Sequence, residues 1–207
     1  MFTGIVEEVG KVASASSKTL VIAAGSILSR VKLGGSIAVN GVCLTITSFD
    51  TNSFSVDIMP ETIERANLGL LSAGGRVNLE LPLTLDGQLG GHLVQGHIDA
   101  TGRVTSVTWN GDTTIIEFEA PTEIMHYIVE KGFIAVDGVS LTVIAKNTSS
   151  FQVSVVDYTR RHTILGDKQV GDLVNLEVDI IAKHVEQLSQ PISTGITTEL
   201  LQEHGFL

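Results

Sequence analysis

Short runs that are alternating or rich in β-branched residues dominate this chain. The clearest in the first half are Leu20-Val21-Ile22-Ala23, Ser36-Ile37-Ala38-Val39, Leu44-Thr45-Ile46-Thr47, Phe54-Ser55-Val56-Asp57-Ile58 and Val77-Asn78-Leu79-Glu80-Leu81. Alternation puts successive side chains on opposite faces, so each run reads as a strand with one face turned to a core. The second half repeats these runs and adds Thr114-Ile115-Ile116-Glu117-Phe118. Gly, Asn and Asp punctuate them closely, the pattern of a small antiparallel barrel or sandwich. Asn40-Gly41 and Asp137-Gly138 fall between paired runs, where an Asx-Gly pair supplies the positive φ of a tight hairpin.

Helical periodicity is scarce. Thr122 to Lys131 reads as one helix, with Ile124, Tyr127 and Ile128 forming a stripe, Lys in the last turn and Gly132 as its cap. Ser26 to Val31 is its shorter counterpart. Near the C-terminus Ile181, Val185 and Leu188 recur at helical spacing until Pro191 stops the run. A Ser/Thr-rich connector and a last turn over Glu199 to His204 follow.

The two halves say nearly the same thing. Displaced by 97 residues, Ile37-Ala38-Val39-Asn40-Gly41-Val42-Cys43-Leu44-Thr45 falls on Ile134-Ala135-Val136-Asp137-Gly138-Val139-Ser140-Leu141-Thr142. The register then holds through Val77-Asn78-Leu79-Glu80 on Val174-Asn175-Leu176-Glu177. A unit this long is a duplicated domain, too large for one repeat of a solenoid. The copies begin at a different offset: Gly4-Ile5-Val6 matches Gly96-His97-Ile98 at 92 residues. The boundary therefore falls within the flexible run Asp86 to Gly91. The expected division is 1–88, 89–179 and a C-terminal helix with its tail over 180–207. Where equivalent positions differ in chemistry, one half has been given a different task.

Composition narrows the function classes. A formal net charge of -10, with only 13 Lys and Arg spread along 207 residues, leaves no stripe to neutralise a phosphate backbone, so nucleic acid is not an expected partner. A single cysteine rules out an internal disulfide and fits a reducing cytoplasm. Residues 1–12 lack the features of a secretory signal, and no apolar run approaches the ~20 residues of a membrane helix. The mean hydropathy is nevertheless +0.30. For domains this small, that points to apolar surface buried between domains or subunits.

Common catalytic templates fail. There is no Walker A sequence, no G-x-G-x-x-G opening a helix and no G-x-S-x-G elbow. His92 and His97 point to opposite faces of an extended segment, with no Cys or third His nearby, so no metal is expected. The comparison of copies is more useful. Cys43 stands where Ser140 stands, each in Gly-Val-x-Leu-Thr after a hairpin, with Thr45 and Thr142 sharing their face. Small polar groups there either stabilise a turn or hydrogen-bond a flat ligand, and their recurrence in both copies favours the ligand. Ile5 stands where His97 stands, so only the second copy opens with an imidazole suited to proton transfer near neutral pH.

These residues carry a resemblance. Met1-Phe2-Thr3-Gly4-Ile5-Val6-Glu7, Asn40-Gly41-Val42-Cys43-Leu44-Thr45, Met59-Pro60-Glu61-Thr62, Gly90-Gly91-His92-Leu93-Val94-Gln95-Gly96-His97 and Lys131-Gly132 through Gly138-Val139-Ser140-Leu141-Thr142 resemble riboflavin synthase of the α-chain type, over about residues 1 to 188. The resemblance implies an all-β fold of two tandem six-stranded Greek-key barrels, assembled as a homotrimer through the C-terminal helix. It implies a transferase in which two molecules of 6,7-dimethyl-8-ribityllumazine exchange a four-carbon unit, giving riboflavin and 5-amino-6-(D-ribitylamino)uracil without a cofactor. It leaves association with lumazine synthase open.

Carried over residue by residue, the resemblance implies a first pocket of Gly4, Ile5, Val6, Cys43, Leu44, Thr45, Asp57, Ile58, Met59, Pro60, Glu61 and Thr62. The second is Gly96, His97, Ile98, Lys131, Ser140, Leu141, Thr142, Ser154, Val155, Val156, Asp157, Tyr158 and Thr159. His97 is the expected proton carrier, Ser140 and Thr142 the groups that polarise a ring, and Cys43 a positioning group before a nucleophile. The second copy departs from the family in reading Val156-Asp157-Tyr158-Thr159 where the first reads Met59-Pro60-Glu61-Thr62. The alternative reading is a lumazine- or flavin-binding protein of the same fold without catalysis.

Overall fold

The computed structural model describes residues 1–189 and 198–206. The first copy folds as β1 (Glu8–Ala15), β2 (Thr19–Ala23), β3 (Ser36–Val39), β4 (Val42–Phe49), β5 (Ser53–Asp57), helix α1 (Pro60–Arg65) and β6 (Arg76–Glu80). The second follows as β7 (Ala100–Asn110), β8 (Thr113–Glu119), α2 (Thr122–Tyr127), β9 (Phe133–Val136), β10 (Val139–Lys146), β11 (Ser150–Val156), α3 (Asp157–His162) and β12 (Leu173–Val178). Each set closes into an antiparallel barrel, in the order β1-β2-β5-β4-β3-β6 and its equivalent. Strands β3, β4 and β5 are consecutive hairpins, while β2 and β6 return to flank them, which is the Greek-key arrangement. Closure removes the open edges that a lone sheet would expose.

The alternating residues fill two cores. Ile37, Val39, Ile46, Phe54, Val56, Val77 and Leu79 are buried in the first barrel, and Ile134, Val136, Val143, Phe151, Val153, Val174 and Leu176 take the equivalent places in the second. Both Asx-Gly turns form as expected. Asn40 and Gly41 have φ of 46° and 79°, and Asp137 and Gly138 have 44° and 78°.

The predicted helix over 122–131 is shorter than expected. It ends at Tyr127, and Ile128 is already extended. The Lys146 ammonium explains the stop: Nζ donates to the carbonyls of Met125 at 3.1 Å and Ile128 at 2.6 Å, taking over the end where helical bonding would continue. The predicted turn at Ser26 is a 3-10 turn, Ser26–Arg30. The last two helices fall where the periodicity puts them, α4 at Ile180–Ser189 and α5 at Thr198–Glu203. Pro191 and the Ser/Thr-rich connector lie outside the described residues.

The barrels meet at their hairpin turns, related by a local pseudo-twofold. Asn78 Nδ2 donates to the carbonyl of Asp137, and Asn175 Nδ2 donates to that of Asn40, both at 2.9 Å. Two coupled substitutions break the symmetry. Asn40 of the first copy becomes Asp137, a fully buried carboxylate, and Leu71 becomes Lys168, whose Nζ lies 2.7 Å from Asp137 Oδ2. Asn67 Nδ2 donates to Asp137 Oδ1 at 3.0 Å. Lys168→Met should therefore strand a buried charge and cost ~3–5 kcal/mol. Adding Asp137→Asn, which restores the chemistry of the first copy, should recover most of that loss in urea unfolding.

Candidate functional site

Each copy begins with a short segment that does not stay with its own barrel. Residues 2 and 94 pair across the chain in an isolated antiparallel bridge, with Phe2 N–H donating to the Val94 carbonyl and Val94 N–H to that of Phe2. From this crossing the two segments diverge. The Cys43 N–H donates to the Gly96 carbonyl at 2.9 Å, while the Ser140 N–H donates to the Gly4 carbonyl at 2.8 Å. Val6 packs on the core of the second barrel and Ile98 on that of the first. Both glycines have positive φ, and a Cβ on either would lie within 2.6 Å of the opposing Ser140 or Cys43 Cβ.

This exchange corrects the expected grouping. The opening of the first copy, Gly4, Ile5 and Val6, belongs with Ser140, and Gly96, His97 and Ile98 belong with Cys43. A cavity of about 410 Å³ shows the result. It is lined by Val42, Cys43, Met59, Pro60, Glu61, Thr62, Arg65, Ala66, Gly96, His97 and Ile98. Exposed His97 and partly buried Cys43 thus face one space, walled by α1 and its preceding turn. Val42, Arg65 and Ala66 were not foreseen; Arg65 lies one turn beyond the Met-Pro-Glu-Thr motif on α1 and Ala66 follows it as the cap, which is the signal that could have found those two.

Other expected residues serve the site differently. Leu44, Leu141, Ile58 and Val155 are buried in the cores, so they shape the strands rather than present side chains. Thr45, Thr142 and Asp57 are exposed on the outer faces, and Thr19 Oγ1 donates to Asp57. Lys131 sits on an exposed turn at φ 65°. Ser154 and Thr159 are partly buried and Val156 is exposed. The departure in the second copy is visible as well. Asp157 pairs with Arg160 and Arg161, whose hydrogen bonds lower its pKa, and Tyr158 stacks on His162 at 4.0 Å where the first copy pairs Glu61 with Arg65.

Two buried carboxylates hold the exchanged segments. Glu80 accepts hydrogen bonds from Thr3 N, Thr3 Oγ1 and Gly4 N, and Glu177 accepts from Gln95, Gly96 and His97 N at 2.6, 2.9 and 3.1 Å. Each copy therefore ties down its own opening while that opening reaches the other barrel. Burial outweighs these donors, raising the pKa of Glu80 and pushing Glu177 up to about 7. Because the folded value for Glu177 lies above the ordinary 4.5, the stability it contributes is full below pH 4.5 and is lost as the pH rises to about 7. Relative to Glu177→Gln, the chain should lose roughly 3 kcal/mol across that window, read as the pH dependence of the difference in urea unfolding.

On the other side, Ser140 Oγ lies 2.8 Å from His92 Nδ1. His92 is buried and stacks on Phe133, ring centroids 5.3 Å apart and 8° from parallel. Gly91 makes room for this approach, since a Cβ there would meet the Thr3 carbonyl at 2.2 Å and Ser140 Oγ at 2.8 Å. The sequence offered His92 within the Gly90 to His97 motif but not its contact with Ser140, because that partner lies 48 residues away.

Comparison with known proteins bears on what such paired sites are for. Residues 3–82 and 95–179 each match the family model described as lumazine binding domain. The chain is 43% identical to the riboflavin synthase of Actinobacillus pleuropneumoniae over all of both chains. The chain belongs to the riboflavin synthase family. Within the family it is also 46% identical to the riboflavin synthase of Mycobacterium bovis, over 91% of this chain and 98% of the relative. Among solved structures, LumP complexed with riboflavin matches with a TM-score of 0.80 at 24% identity, over 86% of this chain and 99% of that one. LumP complexed with 6,7-dimethyl-8-(1'-D-ribityl) lumazine gives 0.79 over the same shares. Those two likenesses concern the fold, and they confirm the double barrel that the duplicated strands imply.

Proposed function

We propose that this member of the riboflavin synthase family catalyses the dismutation of two 6,7-dimethyl-8-ribityllumazine molecules, transferring a four-carbon unit from one to the other to give riboflavin and 5-amino-6-(D-ribitylamino)uracil. The observation that carries the reading is a pair of similar but unequal sites, each completed by the opening segment of the other half. A reaction between two identical molecules in different roles requires that combination. Holding both in register replaces a bimolecular encounter, an effect of up to ~7–11 kcal/mol on the barrier. Cys43 with His97 marks one site and Ser140 with His92 the other. A protein that only bound a lumazine has no need for two differently equipped sites. Incubating the purified chain with the lumazine and following riboflavin absorbance tests the reading; binding without conversion would establish the non-catalytic alternative.

The reading includes a cytoplasmic homotrimer. Helix α4 is fixed to the second barrel through polar groups, with His126 Nε2 3.0 Å from Glu186 Oε1 and Lys183 paired with Asp99. Its apolar stripe is left uncovered in the single chain: Ile181, Val185 and Leu188 are 55%, 57% and 85% exposed. Beside it lie Val129 and Phe133, also exposed, around a groove of about 480 Å³. Copies packing there would bring the first barrel of one subunit to the second barrel of its neighbour. No helix among the described residues is long and apolar enough to cross a membrane, so this stripe needs another cover. Deleting residues 180–207 should give folded monomers in sedimentation, with little turnover; a fully active monomer would refute the assembly.

A further inference from the structure

The two copies differ most in the hairpin that opens each barrel. Beyond the equivalent pairs Ala15–Leu20 and Val107–Ile116, the β1–β2 hairpin closes over residues 16–19 and the β7–β8 hairpin over residues 108–115. The longer arm of the second copy carries Trp109, the only tryptophan of the chain, paired across the hairpin with Thr114. The segment facing this arm differs too. Ile63 and Leu71 pack on the first core, and their equivalents 97 residues on are Arg160, in α3, and Lys168. Where the first copy packs aliphatic side chains, the second has a cavity of about 460 Å³. Val107, Trp109 and Thr114 line one side of it, and Arg160 with Leu165 to Gln169 the other.

We propose that this cavity binds a small aromatic carboxylate, its ring laid on Trp109 and its carboxylate accepting from the Arg160 Nε–H and the Thr114 hydroxyl. The polar groups are already set for such a ligand. The Arg160 guanidinium lies over the Trp109 ring, Cζ 4.8 Å from the centroid, which fixes its plane. Its Nη2 donates to Asp157 Oδ1 at 2.8 Å, while Nε is buried and has no partner among the described residues. Thr114 is 4% exposed, and its Oγ1 has no partner among those residues either. A buried donor without an acceptor is costly, so both groups favour an oxygen acceptor between the walls.

Charge gives the acceptor its sign. Arg160 and Arg161 share the single carboxylate of Asp157, whereas Lys168 is balanced by Asp137 and Asp167 by Arg76. One positive charge is left over beside the cavity, which suits a monoanion. The ring requirement comes from Trp109, which is 63% exposed although Arg160 covers part of it, so aromatic surface remains for a flat partner. The cavity shares no residue with the one lined by Cys43 and His97. Its link to the second lumazine site is α3, through the hydrogen bond from Arg160 to Asp157. The proposal does not depend on the reaction and holds whether or not the chain makes riboflavin.

Benzoate is the probe, because it carries one ring and one carboxylate. Trp109 is the only tryptophan, so tryptophan fluorescence reads this cavity directly. Titration of the full chain should give a saturable change with a Kd of ~1 mM, ordinary for so small a ligand. Inorganic phosphate, which lacks the ring, and benzyl alcohol, which lacks the charge, should each bind at least about fivefold more weakly. Arg160→Ile, which copies Ile63, and Thr114→Val, which keeps the shape without the hydroxyl, should each weaken benzoate by ~10-fold. Thr114→Val should leave the urea midpoint unchanged or raise it, since it removes a buried hydroxyl that has no partner in the fold. Amide shifts in NMR should centre on Thr114 and Arg160. No saturable change, unaltered affinity in both variants, or shifts at Cys43 and His97 instead would overturn the proposal. So would a lower midpoint in Thr114→Val, which would assign the hydroxyl to folding.

Discussion

Ser140→Ala should reduce riboflavin formation by ~10²–10⁴-fold with little change in riboflavin affinity. The side chain removed is small and partly buried, on a strand whose backbone bonds to Gly4 and to β9 are untouched, so the fold should lose only ~1 kcal/mol. What disappears is the hydroxyl that lies 2.8 Å from the His92 imidazole. His97→Ala should fall near the low end of the same range. His97 lies exposed in the cavity of the first barrel, and the proton it would carry leaves a methyl group already acidified by its ring. Steady-state kinetics with a riboflavin titration on each variant decide the matter. Wild-type turnover in both would mean that the chain works by orientation alone and that neither role is correct.

Much of the scaffold is legible in the sequence because its determinants are local. Alternation gives the strands, and Asn40-Gly41 and Asp137-Gly138 give the turns. The 97-residue register gives the second barrel once the first is drawn. Features set by distant partners are not legible. The helix after Pro121 stops early because of Lys146, on a strand two elements later. The site suffers most. Comparing copies by offset assumes that each unit contains its own pocket, yet Gly4 and Gly96 cross to the opposite barrels while Glu80 and Glu177 anchor them at home. Nothing in the spacing of Gly4-Ile5-Val6 or Gly96-His97-Ile98 reports that crossing. Which strand each opening meets is set by contacts at a distance, not by spacing within either copy.

That crossing depends on the barrels staying in contact, and the contact leaves no room for a methyl group. Gly41 and Gly138 abut each other across the pseudo-twofold: a Cβ on Gly138 would lie 2.6 Å from the Gly41 nitrogen and 2.8 Å from its Cα. Gly138→Ala should therefore do more than strain a turn at φ 78°. Backbone cannot yield as a flexible side chain can, so the hairpins must separate and the buried amides of Asn78 and Asn175 lose their partners. We expect a loss above ~4 kcal/mol, of the order of a domain's whole stability. The control is Gly74→Ala, at a φ of 94° with nothing within 4 Å of the new Cβ. It pays for the left-handed backbone alone, ~1–2 kcal/mol. Urea unfolding of the two variants separates the explanations. Equal losses would mean that backbone conformation is the whole cost and that the turns do not weld the barrels. A much larger loss at Gly138, with turnover abolished before the barrels unfold, would show that contact between the barrels holds the two sites together.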